Sequence, residues 1–307
     1  MRESLYNILD SSEYGGIMKK LTLLCIFLLI FSGCKKQQEK KEVLIMTSFY
    51  PVYISTINVT RDIPGIKVLN LTEPQTGCIH NYALTVDNMK NLSLSDIFII
   101  NGAGMENFLD RVIRERSNLK IIDTSKDIVL IEENYNNKSY NPHIWVSISN
   151  LIKQVENIEK GLSMYDPSNK EYYEKNAELY IEKLRKLKYE MEEGMKDIKC
   201  RNIVTFHKAF DYFAKEFNLN IVAVIENNPG TEPNAKEMAE TIKIIRDKHV
   251  KVLFAEPQYS SSSAHAIAKE TGLNVSILDP AVTGPMEENA YINIMRSNLD
   301  TLRKTLN

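Results

Sequence analysis

Strand-length apolar runs alternate with helix-length segments in two separate series, and no other feature of this 307-residue chain narrows its fold so far. In the first series, residues 43–47, 66–71, 96–101 and 119–123 predict strands, with helices at 53–61, 86–92 and 106–117 between them. In the second, strands are predicted at 202–206, 220–225, 250–256 and 274–278, and helices at 208–217, 234–248, 263–271 and 289–304. This order is that of a parallel α/β structure. The expected fold is therefore two α/β lobes with parallel sheets, an N-terminal lobe at 43–167 and a C-terminal lobe at 199–307.

Between the series, residues 169–197 contain no proline and, until Gly194, no glycine, and Asp166-Pro167-Ser168 introduces them with a good helix start. Tyr173, Ala177, Tyr180, Leu184, Leu187, Met191 and Met195 recur at steps of three or four, so one helix about 40 Å long presents a single apolar stripe. A coiled-coil segment has the same periodicity, but this stripe uses Tyr and Ala where a zipper wants Leu or Ile. The expectation is a rigid linking helix at 168–198, a strut that restricts hinge motion. Release of a ligand held between the lobes would then rest on a small displacement or a loop, with the loop around His80 as the candidate.

The N-terminus sets the compartment. Met18-Lys19-Lys20 is followed by an apolar run at 21–31, too short to span a bilayer and suited to a signal-peptide core. The run ends in Ile30-Phe31-Ser32-Gly33-Cys34, which resembles the bacterial lipobox, with Phe31 where Leu is usual; the resemblance implies lipidation of Cys34. A polar stretch through residue 42 then serves as a tether. Residues 1–17 form an upstream extension ahead of the signal peptide, and Met18 is the expected start. The mature chain is expected to be exported, lipid-anchored and on the extracytoplasmic face of the cell membrane.

A net charge of −2, with no basic aromatic run, gives no sign of a nucleic-acid partner, and a monomer is expected. Of four cysteines, Cys25 leaves with the signal and Cys34 carries lipid. Cys78 and Cys200 are expected as free thiols: Cys200 opens the strand whose far end carries His207, about 20 Å away, while Cys78 lies near His80. Cys78-Ile79-His80 offers two soft donors to one metal, but neighbours in a short loop often point apart and an exported thiolate oxidises easily. Cys78 therefore stays outside the expected ligand set.

His80, His143 and His207 each sit where an apolar segment gives way to a loop, and Asp279 occupies a similar place. Ligands of open α/β sheets gather beyond the carboxyl ends of strands, and His207 and Asp279 directly follow predicted strands. Taken singly, each histidine has a structural reading, and Asp279 can simply cap the turn made by Pro280. Together they read as one metal site in the cleft, His80 and His143 from the first lobe, His207 and Asp279 from the second. Three imidazoles and a carboxylate suit zinc. His249 and His265 are expected to be solvated surface residues.

At these residues the chain resembles a known family, the metal-binding lipoproteins of bacterial ABC importers for zinc and manganese, the cluster A-I solute-binding proteins. The resemblance covers residues 43–305. Glu73-Pro74-Gln75-Thr76-Gly77-Cys78-Ile79-His80-Asn81-Tyr82 is similar to the loop of the family's first histidine, with Ile79 in place of the usual proline and Cys78 extra. Asn141-Pro142-His143-Ile144-Trp145 resembles the second-histidine motif and Phe206-His207-Lys208-Ala209-Phe210 the third. Gly230-Thr231-Glu232-Pro233, Phe254-Ala255-Glu256-Pro257-Gln258 and Leu278-Asp279-Pro280 resemble second-lobe signatures, the last supplying the fourth ligand. The family implies a Zn2+ cargo delivered to an ABC permease. Manganese-preferring members generally carry Glu at the third position, so His207 argues for zinc, with Mn2+ as the alternative. The His-rich loop of many zinc members has no counterpart at 131–140.

A closed shell of three histidines and an aspartate leaves no open position for water, which argues for a carrier over an enzyme. A zinc hydrolase would need a general base; Glu226, Glu232 and Glu256 are available, but no HExxH-type motif places one. A surface adhesin is the other class open to a tethered lipoprotein, and no repeat or low-complexity stalk supports it.

Overall fold

The computed structural model describes residues 42–79, 82–109, 119–134, 139–226 and 232–307. The upstream extension, signal segment, Cys34 and most of the tether lie outside them, as do His80 and Gly230-Thr231.

Strands β1 (Val43–Thr47), β2 (Ile66–Asn70), β3 (Ile97–Ile100) and β4 (Lys120–Asp123) form one parallel sheet in the order β2-β1-β3-β4. Ile45 pairs with Val68 on one side and Ile97 on the other. Helices α1 (Tyr50–Val59) and α2 (Val86–Leu94) lie between these strands. Pro51 sits in the first turn of α1, where a missing N–H is no loss, and Thr85 and Asn88 close a capping box on α2. Of the helix expected at 106–117, the described part is a 3-10 turn, Asn107–Leu109. A polar hairpin of β5 (Glu132–Asn134) and β6 (Ser139–Tyr140) was not expected, because strands this short show no alternation.

Helix α3 (Ile148–Tyr165) follows, capped by the Ser147 hydroxyl accepting from the Asn150 N–H. Then comes α4 (Lys170–Gly194), and all seven stripe residues from Tyr173 to Met195 are buried. The second sheet has the order β10-β9-β7-β8, from β7 (Asn202–Thr205), β8 (Asn220–Val224), β9 (Val252–Ala255) and β10 (Asn274–Ile277), all parallel. Helices α5 (Asp211–Glu216), α6 (Ala235–Asp247), α7 (Ser262–Thr271) and α8 (Ala290–Leu306) complete it. Helix α5 begins later than the predicted 208, because His207 to Phe210 form a turn in which the Ala209 N–H donates to the His207 carbonyl.

The long helix is more than a strut. One apolar core runs without a break from Ile45 and Ile97 of the first sheet through Tyr173, Leu184 and Met191 of α4 to Ile203 and Phe254 of the second. Asn176 of α4 donates to the Val59 and Arg61 carbonyls, and Glu190 accepts two bonds from Arg296 of α8 at 2.9 and 3.1 Å. Separating the sheets would expose this apolar surface at roughly 25 cal/mol per Å2, so wide opening is costly.

Candidate metal centre

The two sheets share one topology, and in the second the strand order reverses between β7 and β9. The crevice beyond the carboxyl ends of such a pair is where open α/β sheets bind ligands. His207 comes two residues after β7 and Glu256 directly after β9, so the two face each other across that crevice. The Glu256 carboxylate Oε1 lies 2.5 Å from His207 Nδ1 and 3.4 Å from the His207 backbone nitrogen. Both residues are almost wholly buried, at 1% and 2% exposure. Glu256 Oε2 accepts from Gln258 Nε2 at 2.7 Å.

His143 reaches the same crevice from the segment Asn141-Pro142-His143-Ile144-Trp145. Asn141 spends both Nδ2 hydrogens on the Lys208 carbonyl at 2.9 Å and Asp211 Oδ2 at 2.7 Å. Its Oδ1 is thus the acceptor, 2.9 Å from the His143 backbone nitrogen and 2.8 Å from His143 Nδ1. The rest of the segment is anchored in the second half of the chain: Trp145 Nε1 donates to the Pro280 carbonyl at 2.7 Å, and Tyr291 donates to the Trp145 carbonyl at 2.9 Å.

Both imidazoles thus engage Nδ1 with an oxygen and turn Nε2 to the same point, where the two Nε2 atoms are 3.3 Å apart. Two nitrogens about 2.0–2.1 Å from one tetrahedral zinc would lie about 3.3–3.4 Å apart. An outer oxygen holding Nδ1–H is the usual support of a metal-bound histidine, since it fixes ring and tautomer.

Cys78 joins them. Its sulfur is 3.8 Å from His207 Nε2, and the donor atoms of Cys78, His143 and His207 all lie within 4.8 Å of one another. Cys78 and Cys200 are both free thiols, as expected. Burial pushes the Cys78 thiol above its ordinary range, partly offset by its contacts with His207 and Tyr259. Burial by itself lowers His207, but the Glu256 carboxylate and the Cys78 sulfur together outweigh it and hold the ring up at about 10.

Asp279 follows β10 as expected but is not in that cluster. Its Oδ1 accepts from the Ala281 N–H at 2.8 Å, closing the turn at Pro280, and its backbone N–H donates to Asn298 Oδ1. Burial raises its carboxyl to about 6, with the Ala281 bond opposing and the nearby Glu256 adding to the rise. His80 lies outside the described residues. His249 and His265 are exposed, as expected. Glu256 as partner of His207 was missed; its only signal in the sequence was its place directly after a strand, in Phe254-Ala255-Glu256-Pro257-Gln258.

The chain is similar to known proteins. The zinc-binding lipoprotein AdcA of Streptococcus pneumoniae is 30% identical over 313 positions, covering 94% of this chain and 61% of its own length. The high-affinity zinc uptake system protein ZnuA of Bacillus subtilis is 30% identical over 282 positions, covering 85% of this chain and 87% of its own. Among solved structures, Zn(II)-bound AdcA from Streptococcus pneumoniae superposes with a TM-score of 0.75 at 30% identity, over 86% of this chain and 58% of that one. This chain thus spans about 61% of the length of the AdcA relatives. Residues 45–305 match the family described as ZnuA, zinc-uptake complex component A periplasmic, and the chain belongs to that family.

Proposed function

We propose that this protein captures Zn2+ outside the cytoplasm and hands it to the permease of an ABC importer. The observation that carries the reading is the 3.3 Å separation of the His143 and His207 Nε2 atoms, each ring held from behind by an oxygen. His80 and Asp279, from the sequence, are the proposed partners that close the shell. Nitrogen donors favour zinc over manganese, whose preferred ligands are oxygens.

The lobes are assigned to 43–167 and 199–307, bridged by 168–198, because each sheet draws its strands from one of those ranges. The shared core around α4 supports a capture step with little lobe movement. The protein works as a carrier without catalytic activity, as a monomer, tethered to the outer face of the membrane through a lipid on Cys34. Glu256 engages His207 Nδ1, the position of an orienting group and not of a base facing an incoming water.

Elemental analysis of the protein purified without added metal, followed by zinc–manganese competition, tests the reading. One equivalent of zinc, retained against excess manganese, is the expected result; no bound zinc at equilibrium overturns it.

A further inference from the structure

We propose that Cys78 is a direct ligand of the captured metal, so that the site is a mixed thiolate–imidazole centre built on Cys78, His143 and His207. This rests on the metal-capture reading above and specifies the donor set of the same site.

The geometry carries it. A sulfur about 2.3 Å and a nitrogen about 2.0–2.1 Å from one tetrahedral zinc would be about 3.5–3.6 Å apart. Cys78 Sγ and His207 Nε2 are 3.8 Å apart, and the His143 donor falls within the same small triangle. A shift of a few tenths of an ångström brings Cys78 Sγ and His207 Nε2 to the spacing one ion requires, with the His143 donor within 4.8 Å of both.

The loop is built to present that sulfur. Gly77 has a left-handed backbone, φ 79°, and an added Cβ would stand 3.2 Å from Gln258 Cγ, so Gly77 lets the loop lie directly on the segment that follows β9. Ile79 on the other side is fully buried in the main core. Cys78 is held between these two anchors. The Tyr259 hydroxyl interacts with its sulfur, and the Tyr259 ring packs edge-on to His207 at 5.5 Å. Tyr259 and Gln258 thus support the sulfur and the Glu256 carboxylate from one short stretch.

Binding replaces the S–H proton with the metal and releases that proton to solvent. With three corners taken by Cys78, His143 and His207, a tetrahedral ion has one place left, so Cys78 replaces one of His80 and Asp279 in the shell proposed above. A thiolate corner selects thiophilic cations such as Zn2+ and disfavours Mn2+ more strongly than imidazole alone.

The test uses Co2+ as a probe in the full chain with Cys25, Cys34 and Cys200 replaced by Ser, leaving Cys78 as the only thiol. Bound cobalt is expected to show a near-ultraviolet thiolate-to-metal charge-transfer band beside its visible ligand-field bands. Adding Cys78→Ser should abolish the charge-transfer band and keep the ligand-field bands, while zinc affinity falls by at least the about 10–100-fold that loss of an outer-shell partner costs. Ligand-field bands without charge transfer in the Cys78-only protein overturn thiolate ligation and leave metal capture standing. Absence of both cobalt and zinc binding in the unsubstituted chain overturns both. If the Ser variant does not fold, the charge-transfer band of the Cys78-only protein decides by itself.

Discussion

His143 and His207, 64 positions apart in the chain, bring their Nε2 atoms within 3.3 Å while holding their Nδ1 atoms on unlike partners, an amide oxygen of Asn141 and the carboxylate of Glu256. The amide oxygen fixes the ring's orientation and keeps a hydrogen on Nδ1. The carboxylate also stabilises a charged ring, so in the metal-free protein a proton on His207 competes with the metal.

Zinc bound only by the folded protein stabilises it by mass action, about 2.7 kcal/mol when free zinc is 100 times Kd. A rise in melting temperature at micromolar zinc is expected, and His207→Ala should remove most of it. An equal shift in the variant, followed by calorimetry or circular dichroism, would place the zinc elsewhere.

Glu256→Gln keeps a group of the same size beside His207 Nδ1 but removes the charge that orients and enriches the ring. Zinc affinity is expected to fall by about 10–100-fold, as it does when an outer-shell partner of a metal histidine is lost. Titration against a competing chelator measures this, and unchanged affinity would rule out the supporting role of Glu256.

The pH dependence follows from His207, held at about 10 against 6.5 for a free ring. A base whose pKa rises on folding contributes stability that is complete below 6.5 and lost as pH climbs through about 10. Zinc needs the neutral ring, so binding in this window expels a proton and affinity increases with pH. Calorimetric heats at neutral pH should differ between buffers of unlike ionisation enthalpy; identical heats would contradict the assignment.

Gly77→Ala meets two obstacles, a φ of 79° and a Gln258 side chain 3.2 Å from the new Cβ. A left-handed non-glycine residue costs of order 1–3 kcal/mol, and the loop escapes by lifting off Gln258. Zinc affinity should drop more than global stability does, because the loop is a small part of the core. A loss of stability with unaltered affinity would show that Gly77 does not position Cys78.

Most of the fold was legible because period and length are local properties. The alternation of runs such as Val43–Thr47 and Asn202–Thr205 with capped helices marked both parallel sheets, and the stripe from Tyr173 to Met195 marked the long helix and its buried face. Two things were hidden. The hairpin β5–β6 is too short and polar to show a period. Glu256 has the sequence appearance of any carboxylate after a strand, and only the pairing of β7 with β9 sets it against His207.

The class of fold, the buried face of the long helix and the candidacy of His143 and His207 were all readable from the chain, since each follows from residue type and spacing along a short stretch. Which donor atoms converge was decided by tertiary structure alone. It joined Cys78 to the two histidines and engaged Asp279 Oδ1 at the Ala281 N–H, the turn-capping role open to it from the sequence. The reason is physical: a coordination site depends on atomic distances within a few tenths of an ångström, and those are set by how the loop at Gly77 lies on Gln258 and how Trp145 is tied to Pro280. Contacts of that range leave no period or spacing in the chain.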